Sequence, residues 1–428
     1  MTARQAAARA LMQIFDHGAY SNLALPPLLA DLPERERAFA SALTLGVLER
    51  AVTLDHILGT YGKTPVRKLQ SPVLQALRCG VYQLVYMPSV PESAAVSQAV
   101  ETVRALGAGG ASGYVNGLLR AFVRAGKSWP EPKDPLTALS VRCGVPAALA
   151  GLLRRSYGHE RAVAALEALS QKAPLFVRVN TCRISREALL ERLEQEGIQA
   201  LPDAAAPGAV RILSGGSPAS GNCFAAGLFH IQDLSSQLCA EFLEVAPGMR
   251  LLDLCAAPGG KTFTLAEQME DRGEILACDL YPSRLSLVES GAVRLGLSSI
   301  RVRAADARVY DPALGRFDRV LCDVVCSGFG VIRRKPEIRY KDPNTLADLP
   351  AEQYNILCTA SNYLKKGGKL VYSTCTLNPA ENEDVVRRFL AAHPGFSLDA
   401  PMRTLLPCAD YDGDGFFMAR LKAGGGEA

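Results

Sequence analysis

Two cysteines and three aspartates occupy comparable places in this chain. Cys326 lies in CDVVCSGFG (residues 322–330), and Cys375 lies in LVYSTCTLNPAENE (residues 370–383). Each follows an apolar run with strand character. Each sits in a turn of Ser, Thr and Gly, where a thiolate can be stabilised. Burial as an inert apolar thiol is the commoner fate of cysteine, and these polar surroundings fit it poorly. Asp279 and Asp306 follow two other apolar runs, and Asp323 ends the run that precedes Cys326. In an open α/β sheet, acids at successive carboxyl ends of strands line the ligand crevice. One about twenty residues past the first turn bonds ribose hydroxyls. Asp279 has that place, and Asp306, in AADA, stands where it can face an adenine.

The first turn is in LLDLCAAPGGKT, Leu251 to Thr262. It reads as a buried strand, a small-residue turn and a helix opening at Lys261 or Thr262. A P-loop would need Gly where Cys255 stands, and the G-x-G-x-x-G of a nicotinamide site is absent. A turn for S-adenosylmethionine remains. Small residues let backbone N–H groups approach the amino-acid end of that molecule, and an acid bonds its ribose. Two thiols beside a methyl donor fit methylation at carbon 5 of a pyrimidine. That carbon is a weak nucleophile. A thiolate added to carbon 6 makes carbon 5 attack the methyl. A base then takes the carbon-5 proton so that the thiol can leave.

The elements that must position these groups follow from patterning. A chain of 428 residues, 48% apolar and 21% charged, holds two or three domains with packed cores. A net charge of +4 permits nucleic-acid binding without arguing for it. No apolar run approaches a membrane span. Ala6, Ala7, Ala10, Leu11, Ile14 and Phe15 have helical spacing and predict a first helix rather than a signal peptide. Twelve cysteines without a CxxC pair predict a reduced, cytoplasmic protein with no metal site.

Residues 1–130 are expected to be all helix. Ser71 is read as an N-cap before Pro72, and Gly107 as a stop. Arg67, Lys68, Arg78, Arg104, Arg120 and Arg124 are candidates for one basic face. Trp129 to Pro135 is a linker. Residues 136–228 predict a small α/β module with helices near 146–157, 159–171 and 185–196 and strands near 175–180 and 210–213. Its sheet is expected to be exposed, as an RNA platform. Residues 229–423 alternate strand and helix, with strands expected at 250–254, 274–278, 299–303, 317–322 and 369–373 and a late one at 416–421. The expected fold class is α/β: a Rossmann-like domain behind an all-α domain and the small module. The tail 424–428 is expected to be disordered.

The stretches 78–100 and 113–120 resemble the NusB-like helical RNA-binding domain. LLDLCAAPGGKT, CDVVCSGFG and YSTCTLNPAENE, with FHIQD (229–233) and DGDGFF (412–417), resemble the motifs of the Sun/NOL/NOP (RsmB/NOP) family of RNA cytosine-C5 methyltransferases. The resemblance implies that Cys375 is the nucleophile, that Cys326 assists release of the methylated base, and that Asp323 holds the cytosine N3 edge. It implies S-adenosylmethionine as cofactor, with Cys255, Ala256, Ala257, Pro258, Gly259, Gly260, Lys261, Asp279, Arg284, Asp306 and Asp323 on the cofactor side. Small-subunit (16S) rRNA is the implied substrate, with no DNA or membrane partner and a monomeric enzyme. The alternatives are a tRNA cytosine methyltransferase and a non-catalytic RNA-binding or assembly factor. A DNA cytosine methyltransferase would carry Pro-Cys where Val325-Cys326 stands. The family's Asp-Ala-Pro-Cys-Ser-Gly-Thr-Gly reads here as Asp323 to Gly330, DVVCSGFG. The missing proline is expected to free the backbone before Cys326, and Phe329 to add bulk. Arg333, Arg334, Lys335, Arg339 and Lys341, with Tyr340, suit a phosphate track with stacking.

Overall fold

The computed structural model describes residues 1–424. The expectation of a disordered tail falls, past Gly424, outside the described residues. The chain forms two compact units: Met1–Gln171 with Ile332–Pro343, and Lys172–Val331 with the chain from Asn344 on.

The first unit is helical: α1 (Ala3–His17), α2 (Ser21–Leu29), α3 (Glu34–Tyr61), α4 (Ser71–Tyr86), α5 (Glu92–Ala105), α6 (Ser112–Arg124), α7 (Pro135–Cys143), α8 (Ala147–Tyr157) and α9 (His159–Leu169). Thr2 and Gln5 form a capping box that starts α1, and its expected apolar face is buried. Leu43, Val47 and Leu54 of α3, Leu77 and Val81 of α4, and Leu119 and Phe122 of α6 share one core. Two expectations change here. Gln70, not Ser71, is the N-cap of α4, and the Ser71 hydroxyl donates to Asp16 at 2.6 Å. Arg78 does not join a solvated basic face. It is buried, its guanidinium forks onto both oxygens of Asp55 at 2.8 and 2.7 Å, and it stacks over Phe15. The helices α7 to α9 pack into this unit, whereas the sequence boundary put them with the small module. The Thr53 hydroxyl donates to the Val141 carbonyl at 2.5 Å, and Arg50 donates to the Ser170 carbonyl.

The segment 332–343 also belongs to this unit, which changes the reading of its basic run. Arg339 is buried and donates to the carbonyls of Glu49 (2.6 Å) and Gly144 (3.2 Å). Tyr340 donates to the Leu48 carbonyl and packs on Phe15. Arg333 is buried too, and only Arg334 and Lys335 of the run are exposed. Backbone carbonyls inside the helical unit therefore take Arg339 and Tyr340, two of the six groups read as a phosphate track.

The second unit holds two sheets. The smaller has the order β2 (Gln199–Pro202), β3 (Ala209–Ser214), β1 (Leu175–Val179), β4 (Phe229–Ile231), all antiparallel, with α10 (Arg186–Gln195) packed on it. A short α11 (Asn222–Ala225) precedes β4. The sheet is not the open platform expected. One face of β1 places Val177 and Val179 against Leu189 and Leu193 of α10. The other face places Phe176 against Leu234 of α12 (Leu234–Phe242). Arg178, on that same face, bonds Glu241 of α12 at 3.1 Å and the fully buried Glu267 at 3.0 Å.

The larger sheet, eight-stranded among the described residues, carries the alternation expected. Its strands are β5 (Arg250–Asp253), β6 (Glu274–Asp279), β7 (Ile300–Ala304), β8 (Phe317–Asp323), β9 (Leu364–Thr374), β10 (Phe396–Leu398), β11 (Arg403–Leu405) and β12 (Phe416–Ala423). The order β7-β6-β5-β8-β9 is parallel throughout, and β12 pairs antiparallel with β9. Helices α13 (Gly260–Gln268), α14 (Pro282–Leu295), α15 (Leu349–Ser361) and α16 (Glu383–Ala392) cross between strands. Apolar clusters lie on both faces, around Leu251, Ile275 and Leu321 and around Leu252, Val320 and Tyr372. Strand β9 begins five residues before its expected start because it runs on through Gly367 and Gly368. Among the described residues no single helix is long and apolar enough to cross a membrane.

Removing Arg178 would leave the Glu267 carboxylate buried beside only His230, 3.3 Å away. Arg178→Ala is expected to lower unfolding free energy by about 3–5 kcal/mol. Urea denaturation checks this, and a loss within error of zero would contradict it.

Candidate active site

Strand β5 ends in a tight turn that its composition makes possible. The Ala256 N–H donates to the Cys278 carbonyl at 2.8 Å, tying the turn to the end of β6. Gly259 has φ +109°, and a Cβ there would lie 2.4 Å from the Phe263 ring, so only glycine fits. Helix α13 opens immediately, and the Thr262 hydroxyl donates back to Asp253 at 2.7 Å. A cleft of about 200 Å³ lies here, where the strand order reverses between β5 and β8. Its walls include Cys255, Ala256, Ala257, Pro258, Gly260 and Lys261 of the turn, Asp323 of β8, and Asp253, Gln232 and Ser236. Two buried atoms of this wall have no hydrogen-bond partner, Asp253 Oδ1 and Gln232 Nε2. One is an acceptor and one a donor.

The charges around the cleft are strongly coupled. Burial pushes the Asp253 carboxyl up to about 7; the Thr262 hydrogen bond opposes that and the Asp323 charge adds to it. Lys261 Nζ lies 2.7 Å from Asp323 Oδ2 and 5.1 Å from the centre of the Phe416 ring. Burial lowers the Lys261 value, but the Asp323 carboxylate outweighs it and holds the ammonium above its ordinary value. The other Asp323 oxygen accepts from the Ser373 hydroxyl at 2.7 Å.

Asp279, Arg284 and Asp306 stand apart from this wall. The buried Asp279 accepts from the Ala257 N–H at 3.3 Å and pairs with Arg284 at 3.1 Å, and Arg284 also donates to the Ala257 carbonyl. The pair braces the turn from behind. Asp306 forms an ion pair with Arg308 at 2.7 Å, which holds its carboxyl below the ordinary range.

The two cysteines meet. Cys326 Sγ lies 3.1 Å from Cys375 Sγ. Both loops leave neighbouring parallel strands, with Asp323 of β8 in register with Ser373 of β9. The Ser327 and Thr376 hydroxyls bond at 2.6 Å, and the Gly330 N–H donates to the Cys375 carbonyl at 2.9 Å. A Cβ on Gly330 would lie 1.9 Å from the Gly415 carbonyl, so glycine is required where the two loops and the 412–417 turn converge. The hydrogen bond to Cys375 raises the Cys326 thiol well above its ordinary value, with burial adding to the effect. The missing proline does not leave the backbone free. The Val324 N–H donates to the Ser373 carbonyl, Gln353 donates to the Val325 carbonyl at 2.9 Å, and Phe329 is buried.

Several residues at this site carried no role in the sequence reading. Asp253 and Gln232 line the cleft. Ser373 holds Asp323, and Glu381, in the stretch that follows Cys375, is fully buried. The signal for Asp253 was an acid set among leucines in LLDL (251–254). For Glu381 it was a dense run of Asn and Glu beside a cysteine turn.

Three family models match the chain. The 16S rRNA methyltransferase RsmB/F model matches residues 240–422, the NusB family model residues 1–124, and the ferredoxin-like domain of Methyltr_RsmF/B-like proteins residues 145–217. The chain is 36% identical over 412 residues to the probable ribosomal RNA small subunit methyltransferase B of Bacillus subtilis (strain 168), covering 94% of this chain and 91% of the relative. It is 34% identical over 445 residues to the protein of the same description from Synechocystis, covering 99% of each. The crystal structure of PH0851 shares the fold, with a TM-score of 0.80 at 23% identity over 97% of this chain and 98% of that one.

The raised Asp253 carboxyl makes stability depend on pH with a definite sign. Between the unfolded value and about 7 the folded state binds the extra proton, so stability falls as pH rises through that window. Asp253→Asn keeps an acceptor for Thr262 and removes the ionisation. It is expected to stabilise the protein at pH 8 by on the order of 4 kcal/mol and to have little effect near pH 4. Urea melts at both values test this; an equal effect at both would contradict it.

Proposed function

The chain belongs to the 16S rRNA methyltransferase RsmB/F family and is an S-adenosylmethionine-dependent RNA cytosine-C5 methyltransferase, and we propose that it modifies a cytosine of small-subunit rRNA through a covalent adduct on Cys375. The observation that carries this reading is the contact of the two thiols beside the cleft at the sheet's switch point.

The cleft suits the cofactor. Its orphaned acceptor, Asp253 Oδ1, and orphaned donor, Gln232 Nε2, match the ammonium and carboxylate of an amino-acid end. The small residues from Cys255 to Gly260 would hold that end by backbone contacts, while Asp279 and Arg284 keep the turn in shape and Asp306 stands beyond β7, where an adenine would reach. When bound, the cofactor supplies an electrophilic methyl group.

The rest is done by the chain's own groups. Cys375 adds to carbon 6 of the base, which makes carbon 5 nucleophilic. Asp323, fixed between Lys261 and Ser373, holds the N3 edge. Cys326 acts at release. In the resting protein its proton is held chiefly by the hydrogen bond to Cys375. Once Cys375 is bonded to carbon, that partner is gone and Cys326 is freed to exchange protons. Cys326, having given its own proton to solvent, takes the carbon-5 proton; the C5–H electron pair forms the C5=C6 double bond, the S–C6 bond breaks, and its electron pair returns to Cys375 as thiolate.

RNA is taken up partly by the helical unit. Between α5 and α6 lies a groove of about 710 Å³ lined by Arg104, Arg120, Arg124, Ser97 and Asn116. Arginines with hydrogen-bonding side chains suit phosphates and riboses.

Cys375→Ala should abolish methyl transfer and leave no adduct. Cys326→Ala should form the adduct and fail to resolve it, giving a slow band on a denaturing gel of enzyme, RNA and cofactor. The reverse pattern would exchange the two roles, and wild type that transfers no methyl would support an assembly factor. The double change Arg120→Ala, Arg124→Ala should raise KM more than it lowers kcat. It should also make RNA binding less sensitive to salt, by about one unit of slope for each phosphate that is no longer neutralised. An unchanged KM and slope would remove the groove from the RNA surface.

A further inference from the structure

The mechanism leaves one buried carboxylate without a part. Glu381 has no exposed surface, yet it lies among polar groups that all point at it. The Ser327 N–H donates to its Oε2 at 2.8 Å, and Gln353 Nε2 donates to the same oxygen at 3.0 Å. Asn378 Nδ2 donates to its Oε1 at 2.9 Å. Gln353 uses the same amide nitrogen to bond the Val325 carbonyl at 2.9 Å. The residues on either side of Cys326 are thus tied to one carboxylate, one directly and one through Gln353. Glu381 itself is anchored on the Cys375 side: its carbonyl accepts from the Tyr372 hydroxyl of β9 at 2.6 Å, and it lies six residues past Cys375.

We propose that Glu381 is the positioning residue for Cys326, clamping residues 325–327 to the loop of Cys375 so that the two thiols stay in contact and keep separate tasks. The proposal rests on the division of labour given above. Burying a carboxylate is costly unless donors surround it, and a neutral hydroxyl or amide would hold a loop more cheaply. The charge therefore has a use. Glu381 and Asp323 both add to the retention of a proton on Cys326, after the hydrogen bond to Cys375 and burial. The other titratable groups facing the pair are Tyr372 of β9 and Lys261 of α13, whose ammonium feels the charge of Cys375. The carboxylate stands on the Cys326 side and the ammonium beside Cys375. That arrangement favours keeping the proton on Cys326.

The experiment separates clamp from charge. In a Cys375→Ala background, alkylation of Cys326 by iodoacetamide is followed against pH with Glu381 present or replaced by Glu381→Gln. The midpoint should move to lower pH by about one unit, the size of a nearby like charge. This readout needs neither RNA nor methyl transfer, so it stands even if the adduct mechanism fails. With Cys375 intact, Glu381→Gln should accumulate the methylated covalent RNA adduct and lower kcat by about a hundredfold, as a misplaced catalytic group does, with KM unchanged. Gln353→Leu, which removes the tie to Val325 and keeps the charge, should accumulate the adduct without moving the midpoint. It also serves if Glu381→Gln does not fold. An unmoved midpoint in Glu381→Gln overturns the electrostatic part. Normal adduct turnover in both variants overturns the clamp.

Discussion

The register of two parallel strands governs this active site. With Asp323 of β8 opposite Ser373 of β9, the loops that follow must leave the sheet side by side. Side chains at the ends of neighbouring parallel strands then have no choice but to meet. The 3.1 Å approach of the thiols follows, as does the bond from Ser373 to Asp323. A slip of one residue would turn every side chain of β9 to the opposite face. It would turn Ser373, already buried, toward the apolar residues that pack the sheet and bring Tyr372 toward the acid. Apolar clusters on both faces of the sheet hold the register against such a slip.

Charge is the second organising influence. The second unit buries Asp253, Lys261, Glu267, Asp279 and Glu381 or holds them close to burial, and each has a named partner. These partnerships have different consequences. Arg178 with Glu267 joins the small sheet to the larger one and is structural. Lys261 with Asp323 lies on the cleft wall and is poised for a ligand. The distinction shows in what remains unsatisfied: orphaned atoms of Asp253 and Gln232 face the cleft, where a ligand can complete them.

The departure of this chain from its family's usual loop also becomes intelligible. Proline before the second cysteine stiffens a backbone by fixing φ. Here Val324 and Val325 stand instead, and hydrogen bonds from Gln353 and to Ser373 hold the same backbone. Phe329 adds its bulk inward, to a filled core, rather than toward a substrate.

The alternation of strands and helices from 250 onward was legible in the sequence because apolar runs and small-residue turns are local signals. So were the turn of Cys255 to Gly260, the two cysteine loops and the helical first unit. The partners of charged groups were not. Arg78, Arg339 and Tyr340 look in sequence like groups for solvent or phosphate, and each is occupied inside the helical unit. The small sheet reads as an open platform, and Phe176 and Arg178 are covered. Asp279 has the spacing of a ribose ligand, and the sequence does not show that it also meets Arg284 and the turn. Periodicity reports which way a residue faces within its own element. What it faces is set by elements tens or hundreds of residues away, and for a charged side chain that neighbour decides between a surface, a brace and a site.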